Sequence, residues 1–213
     1  MSKIQFRLAK PSDAKHIAEL HYNVRDTYSV GYFAQMGKAF LKKYYEIVLD
    51  DPYEVVVCAE ENGKLCGFCS ASLDINKQME RMNQKKLSLL ISAIPSFICK
   101  PSLILATLKR YKVARGKDDE KLIPKSGARC EYWMWDADNK NGAYSVALWN
   151  LYLEILYKLG VKTFPLDVDD VNEKVMQFHL LNKAKVTEHI TLSDGRERTL
   201  LEYDLKERFS KKK

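Results

Sequence analysis

Residues 130–159 run Cys130-Glu131-Tyr132-Trp133-Met134-Trp135, then Asp136 to Gly142, then Ala143 to Leu159, and this stretch decides the fold. The first six residues are aromatic-rich and read as a strand. The next seven are polar and turn-forming. The last seventeen carry Ala147, Leu148, Leu151, Ile155, Leu156 and Leu159 at helical spacing, so the spacing predicts a helix with those residues inward, closed by Gly160.

Working outward, Val161 to Val168 reads as the next strand and Asn172 to Asn182 as a further helix. Lys185 to Thr191 and Glu197 to Leu205 flank the turn Ser193-Asp194-Gly195-Arg196 and form a closing hairpin. The tail Arg208 to Lys213 is expected to fray. On the other side, Ile4 to Leu8 alternates as an edge strand, and Lys10-Pro11-Ser12-Asp13 leads into a helix over 13–25 with Ser12 as its N-cap. A second helix covers 37–49 and is stopped by Asp50-Asp51-Pro52. Tyr53 to Glu60 and Leu65 to Leu73 are strands joined through Asn62-Gly63, the strongest short hairpin signal in the chain. Cys66-Gly67-Phe68-Cys69 imitates a redox pair. In a strand, a spacing of three sends the two thiols to opposite faces, so the reading is structural.

The chain has 213 residues, 46% hydrophobic and 30% charged, which supports one domain with a sizeable insertion and excludes a disordered or fibrous class. Its five cysteines are odd in number and lie mostly in apolar runs, as reduced thiols do. The N-terminus has no secretory pattern, so a cytoplasmic protein is expected. No two of the four histidines and five cysteines sit at metal-ligand spacing on compatible elements, and no nucleophile-elbow motif is present.

The insertion, residues 76–128, breaks the alternation of strand and helix. Helical periodicity covers Met79 to Ile94 and Leu103 to Val113, with Pro95 and Lys100-Pro101 between them. Two prolines and a central lysine argue against a membrane span. From Arg81 to Arg129 there are twelve basic residues against three acids, a balance of +9 out of a whole-chain charge of +7. Too few aromatics interleave with the lysines for a nucleic-acid surface. Two readings stay open: a helical lid or homodimer surface, and contact with a membrane surface or a lipid-linked substrate.

The order β, α, α, β, β, insertion, β, α, β, α, β, β resembles the GNAT superfamily of acyl-CoA-dependent N-acyltransferases across residues 4–205. Glu19-Leu20-His21, Gly37 to Leu41 and Tyr44-Tyr45, with a helical insertion before the fourth strand, look like the branch often found in surface-polysaccharide gene clusters. The resemblance implies an α+β domain with a mixed, mostly antiparallel sheet flanked by helices. It also implies N-acetylation by acetyl-CoA of a small-molecule amine, foremost a nucleotide- or lipid-linked amino sugar. The alternatives are a protein or peptide amine, and a non-catalytic module that keeps the fold.

Lys140-Asn141-Gly142-Ala143-Tyr144-Ser145 matches the family's pyrophosphate-binding turn, with Ala143 and Ser145 where glycines are usual. Backbone N–H groups at a helix start bind phosphate, and Lys140 adds charge. Asn172 to His179 is similar to the family's Asn-x-x-Ala-x-x-Phe-Tyr, which puts His179 where a tyrosine commonly protonates the CoA thiolate. Lys183-Ala184 replaces the usual Gly-Phe. By the same resemblance the pantetheine pairs with main-chain groups around Trp133, Met134 and Trp135, and a fourth-strand N–H stabilises the oxyanion. Glu131 and Asp167 are the candidates to accept the amine's proton.

Overall fold

The computed structural model describes residues 4–24, 32–114, 126–192 and 195–210. In chain order the elements are β1 (Ile4–Leu8), α1 (Ala14–Asn23), α2 (Tyr32–Gln35), α3 (Gly37–Val48), β2 (Glu54–Glu61), β3 (Lys64–Ser72), α4 (Ile75–Gln84), α5 (Lys86–Cys99) and α6 (Ser102–Ala114). They continue as β4 (Arg129–Trp135), α7 (Gly142–Lys158), β5 (Thr163–Asp169), α8 (Glu173–Leu181), β6 (Lys185–Thr191), β7 (Glu197–Asp204) and α9 (Leu205–Ser210).

The α+β class and the flanking helices are as expected. The sheet is in two parts, one of order β1-β2-β3-β4 and one of order β5-β7-β6. All the described ladders are antiparallel. β4 and β5 face each other across the break, so β4 is an edge whose outer main-chain groups have no ladder partner among the described residues.

Strand alternation divides the interior into two cores. Val56, Cys58, Phe68 and Met134 meet Ile17, Leu41 and Tyr45 of α1 and α3 on one face. Val57, Cys69, Trp149, Tyr152 and Phe164 fill the other face around α7. Helix α7 is enclosed more fully than its aliphatic stripe suggests. Leu148, Trp149, Tyr152, Leu153 and Leu156 are fully buried, whereas Leu159, expected inward, is exposed. Truncating a buried leucine such as Leu153 to Ala would cost about 2–5 kcal/mol.

Four local expectations are corrected. Ser12 is not the cap of the first helix, because a 3-10 turn covers Pro11–Asp13 and Asp13 takes that place. Its carboxylate accepts from Lys10 N at 2.7 Å and from Arg7 Nη1 at 2.6 Å. The insertion forms three helices rather than two, since Lys85 leaves helical geometry between α4 and α5, while Pro95 lies inside α5. Helix α5 continues past that proline to Ser96, whose Oγ donates to Met36 O at 2.5 Å, and to Phe97, which packs on the α1/α3 core. Cys66 and Cys69 share one core rather than opposite faces, because Cys66 is the extra residue of a bulge opposite Ala59 and Glu60. Both thiols are still inert, as burial pushes Cys66 up to about 11 and Cys69 well above its ordinary value. Lastly, Arg208 to Ser210 do not fray. They belong to α9, where Arg208 donates to Asn182 O and to Asn150 Oδ1, both at 2.8 Å, and residues 211–213 lie outside the described residues.

The two closing hairpins are as read, although part of the second turn, residues 193–194, lies outside the described residues. Asn62 and Gly63 both take positive φ, 53° and 79°, as the tight turn demands. Lys183 also sits at a positive φ of 71° just past α8, which is why the related pattern has glycine there.

Candidate active site

A second bulge builds the site. Ser70 pairs with Tyr132 and Ala71 with Cys130, which leaves Glu131 as the extra residue of β4. An extra residue re-aims a side chain, and Glu131 turns to the α1/α3 layer, where Tyr44 Oη donates to its Oε2 at 2.6 Å. Burial, then the neighbouring Glu131, hold the Tyr44 phenol well above its ordinary pKa, so it remains a donor.

Glu54, at the start of β2, completes a carboxyl pair. Burial and, second, Glu131 push it up to about 9, so it is neutral at pH 7. Both its carboxyl oxygens are shielded from solvent with no hydrogen-bond partner among the described residues, and Ser72 and Gln78 stand nearby outside bonding geometry. Arg129 supplies the cation. Burial pulls its pKa down, but Glu131 and Asp167 more than offset this, and the net shift is upward.

Arg129 and Asp167 also line a cavity of about 270 Å³ between the starts of β4 and β5. Asp167 is thus brought to the same region as Glu131, but already engaged: Arg198 donates to it through Nη1 and to Asp169 Oδ1 through Nε at 2.5 Å. A carboxylate oxygen held by a guanidinium is less free to meet an incoming amine. Glu131 is the better placed of the two candidate bases.

His179 is not brought to this site. It is 2% exposed, its Nδ1 is 2.8 Å from Tyr203 Oη, and its ring lies against Trp133, Trp149 and Phe178. Burial lowers its pKa to about 4, so the imidazole is neutral at pH 7. The general-acid expectation is therefore corrected: a neutral ring sealed among aromatics has neither an imidazolium proton to give nor the access for that step.

The turn expected to take the pyrophosphate lies where predicted, at the start of the 17-residue α7. Lys140, Asn141, Gly142, Ala143 and Tyr144 are exposed. Asn141 precedes the helix without a side-chain cap, and a Cβ on Gly142 would meet only open space, so the first-turn amides are open to an anion. Ser145 is half-buried, its Oγ accepting from Trp133 Nε1 at 3.1 Å, while Trp135 Nε1 donates to Asn139 O at 3.0 Å. These two indoles tie the turn to β4. Met134 is buried on the opposite face, in the α1/α3 core, and Asn172 precedes α8 without a side-chain cap.

Sequence reasoning missed Tyr44, Glu54 and Arg129. Tyr44 reads as core because it is core, and nothing in the pattern near Glu54 or Arg129 marks them as neighbours of Glu131.

This is the fold of the GNAT acetyltransferases. A solved N-acetyltransferase from Staphylococcus aureus superposes with a TM-score of 0.62 at 14% identity, over 96% of this chain and 99% of that one. An acetyltransferase structure from Salmonella typhimurium with its cofactor acetyl-CoA gives 0.59 at 12% identity, over 96% and 95%. A spermidine N-acetyltransferase from Vibrio cholerae gives 0.59 at 12%, over 99% and 98%. No protein-family model and no curated protein sequence matches the chain.

Proposed function

We propose that the chain is an N-acetyltransferase that moves the acetyl group of acetyl-CoA to the amine of a small molecule. The observation that carries this is Glu131, set by a bulge on the open edge of β4 and held by Tyr44. Acetyl-CoA fits the exposed turn at residues 140–144 and the stretch Trp133 to Trp135 of β4, the last strand of its sheet. The amine attacks the thioester carbon, Glu131 takes its proton directly or through water, and CoA leaves as a thiolate protonated from solvent. A main-chain N–H of β4 bears the developing oxyanion. Neutral Glu54 adds no second negative charge beside the base.

The acceptor favoured is an amino sugar carried by a phosphate-bearing group, since Arg129 faces the cavity and would meet an anion there. A second reading, a non-catalytic module that keeps the CoA site, draws on the sealed His179 and on Ala143 and Ser145 in the turn. The deciding experiment is release of CoA thiol from acetyl-CoA across nucleotide amino sugars, polyamines and peptides, run beside calorimetry with acetyl-CoA. Binding with turnover of an amino sugar supports the proposal. Binding without turnover of any amine selects the non-catalytic module, and absence of binding removes both.

A further inference from the structure

The insertion presents an apolar face that the fold does not cover. Along α5, Leu87, Leu90, Ile91, Ile94 and Ile98 are exposed, the last at 75%, and their spacing of 3, 4, 7 and 11 from Leu87 puts them on one side of the helix. Leu89, Ala93 and Phe97, on another side, pack on the α1/α3 core. After the two-residue link Lys100-Pro101, Ile104, Leu105 and Leu108 of α6 are exposed as well. Eight large aliphatic side chains in the open within two short neighbouring helices are more than a soluble monomer ordinarily shows in one place.

Two further observations say what covers them. From Arg81 to Lys117 the sequence holds nine Lys and Arg and no Asp or Glu, and Lys85, Lys86, Lys100 and Lys109 are exposed around the apolar face. A symmetric dimer through this face would set the lysines of one copy beside those of the other, with no acid of α5 or α6 between them. The occupant has to be anionic. The hydroxyls of α5 are also turned away from any outside partner. Ser88 donates to Lys85 O at 2.8 Å, Ser92 to Leu89 O at 2.7 Å and Ser96 to Met36 O at 2.5 Å, and Thr107 of α6 donates to Leu103 O at 2.6 Å. A protein or sugar partner would find few hydrogen-bonding groups here, whereas hydrocarbon requires that such groups be satisfied internally.

We infer that α5 and α6 form a docking hairpin for an anionic lipid bilayer, with the aliphatic face in the headgroup boundary and the lysines among the lipid charges. The hairpin lies on the membrane and does not cross it. Fourteen residues of α5 extend about 21 Å, short of the roughly 30 Å hydrocarbon core. No described helix is long and apolar enough to span.

The test is co-sedimentation of the full chain with vesicles of pure phosphatidylcholine or with 30% phosphatidylglycerol added, at low and at high salt. The expected result is pelleting with the phosphatidylglycerol vesicles, weakened by salt, and little with the neutral ones. Lys85→Gln, Lys86→Gln and Lys109→Gln together should weaken partitioning about a hundredfold, at about fivefold per charge. Ile91→Ser with Ile94→Ser should abolish it without changing the unfolding temperature, since both side chains are exposed; Ile98→Ser alone should weaken it and serves if the double variant folds poorly. Equal binding to both vesicle types, or none to either, overturns the inference. So does a concentration-dependent dimer that Ile98→Ser dissociates, which would make the face an interface between copies of this chain.

Discussion

Tyr44 and Glu131 are 87 positions apart in sequence, yet a 2.6 Å hydrogen bond joins the hydroxyl of one to the carboxylate of the other. The bond links helix α3 to the bulge of β4, so a residue of the core and a residue of the open strand edge share one geometry. Tyr44→Phe removes only the hydroxyl. If Glu131 is the base, the variant should turn over about tenfold more slowly at pH 7, because the carboxylate loses the donor that holds it in place. Glu131→Gln should lose about 10²–10⁴-fold in turnover with acetyl-CoA affinity unchanged. Steady-state kinetics beside calorimetry separates the two. A Glu131→Gln enzyme with normal turnover would move the base elsewhere.

Acetyl-CoA at a hundred times its dissociation constant should stabilise the chain by about 2.7 kcal/mol, which is about 5–10 °C in unfolding temperature for a domain of this size. Lys140→Ala should reduce that shift, and Gly142→Val should reduce it more, because a branched side chain would occupy the open space beside the first-turn amides. Scanning fluorimetry with acetyl-CoA and with free CoA measures both. An undiminished shift in both variants would take the cofactor away from this turn.

Gly67 lies under Trp135. A Cβ at Gly67 would come within 2.3 Å of the indole Cε3, so Gly67→Ala has to displace the ring. Overpacking of this kind costs about 1–3 kcal/mol. Because Trp135 Nε1 donates to Asn139 O, the displacement reaches the turn, and acetyl-CoA affinity should fall together with stability. Denaturant unfolding and calorimetry on the same variant test the coupling; lost stability with unchanged affinity would show that the turn does not depend on the indole.

The parts that were legible in the sequence are those written in period and turn chemistry. Asn62-Gly63 marks a hairpin by its positive φ, and Trp135 to Ala143 marks a strand, a turn and a helix start. The bulges were not legible, since an extra residue shifts the phase of alternation and neither β3, buried on both faces, nor the aromatic-rich β4 shows an alternation to be shifted. One of them puts Cys66 in the same core as Cys69, and the other turns Glu131 towards Tyr44. His179 was misread for a different reason. It lies on a helix as expected, but the aromatics that seal it come from β4 and α7, Trp133 and Trp149, which no local pattern connects to α8.

His179 has a counterpart in His21. Each is buried with its Nδ1 within hydrogen-bond distance of a tyrosine hydroxyl, Tyr203 at 2.8 Å and Tyr45 at 2.7 Å, and burial lowers each to about 4. Unfolded histidine titrates near 6.5. Between about 6.5 and 4 the unfolded chain therefore binds protons that the folded chain refuses, and stability falls as the pH drops through that window. Glu54 acts in the opposite direction. Its folded value of about 9 stands above the ordinary 4.5, so its contribution is fully present below about 4.5 and is lost as the pH rises towards 9. Two histidines outweigh one carboxyl on the acid side, and the carboxyl acts alone above pH 6.5, so these three groups place the stability maximum near pH 6.5. Urea unfolding from pH 4 to 9 should trace it. Glu54→Gln should stabilise the chain at pH 8 by about 1–3 kcal/mol and have little effect at pH 4, because an amide is neutral at both. His179→Phe should remove about half of the histidine contribution to the acid slope while lowering stability at pH 7 through the lost bond to Tyr203. A Glu54→Gln chain no more stable than the parent at pH 8 would mean that Glu54 is ionised there and paired.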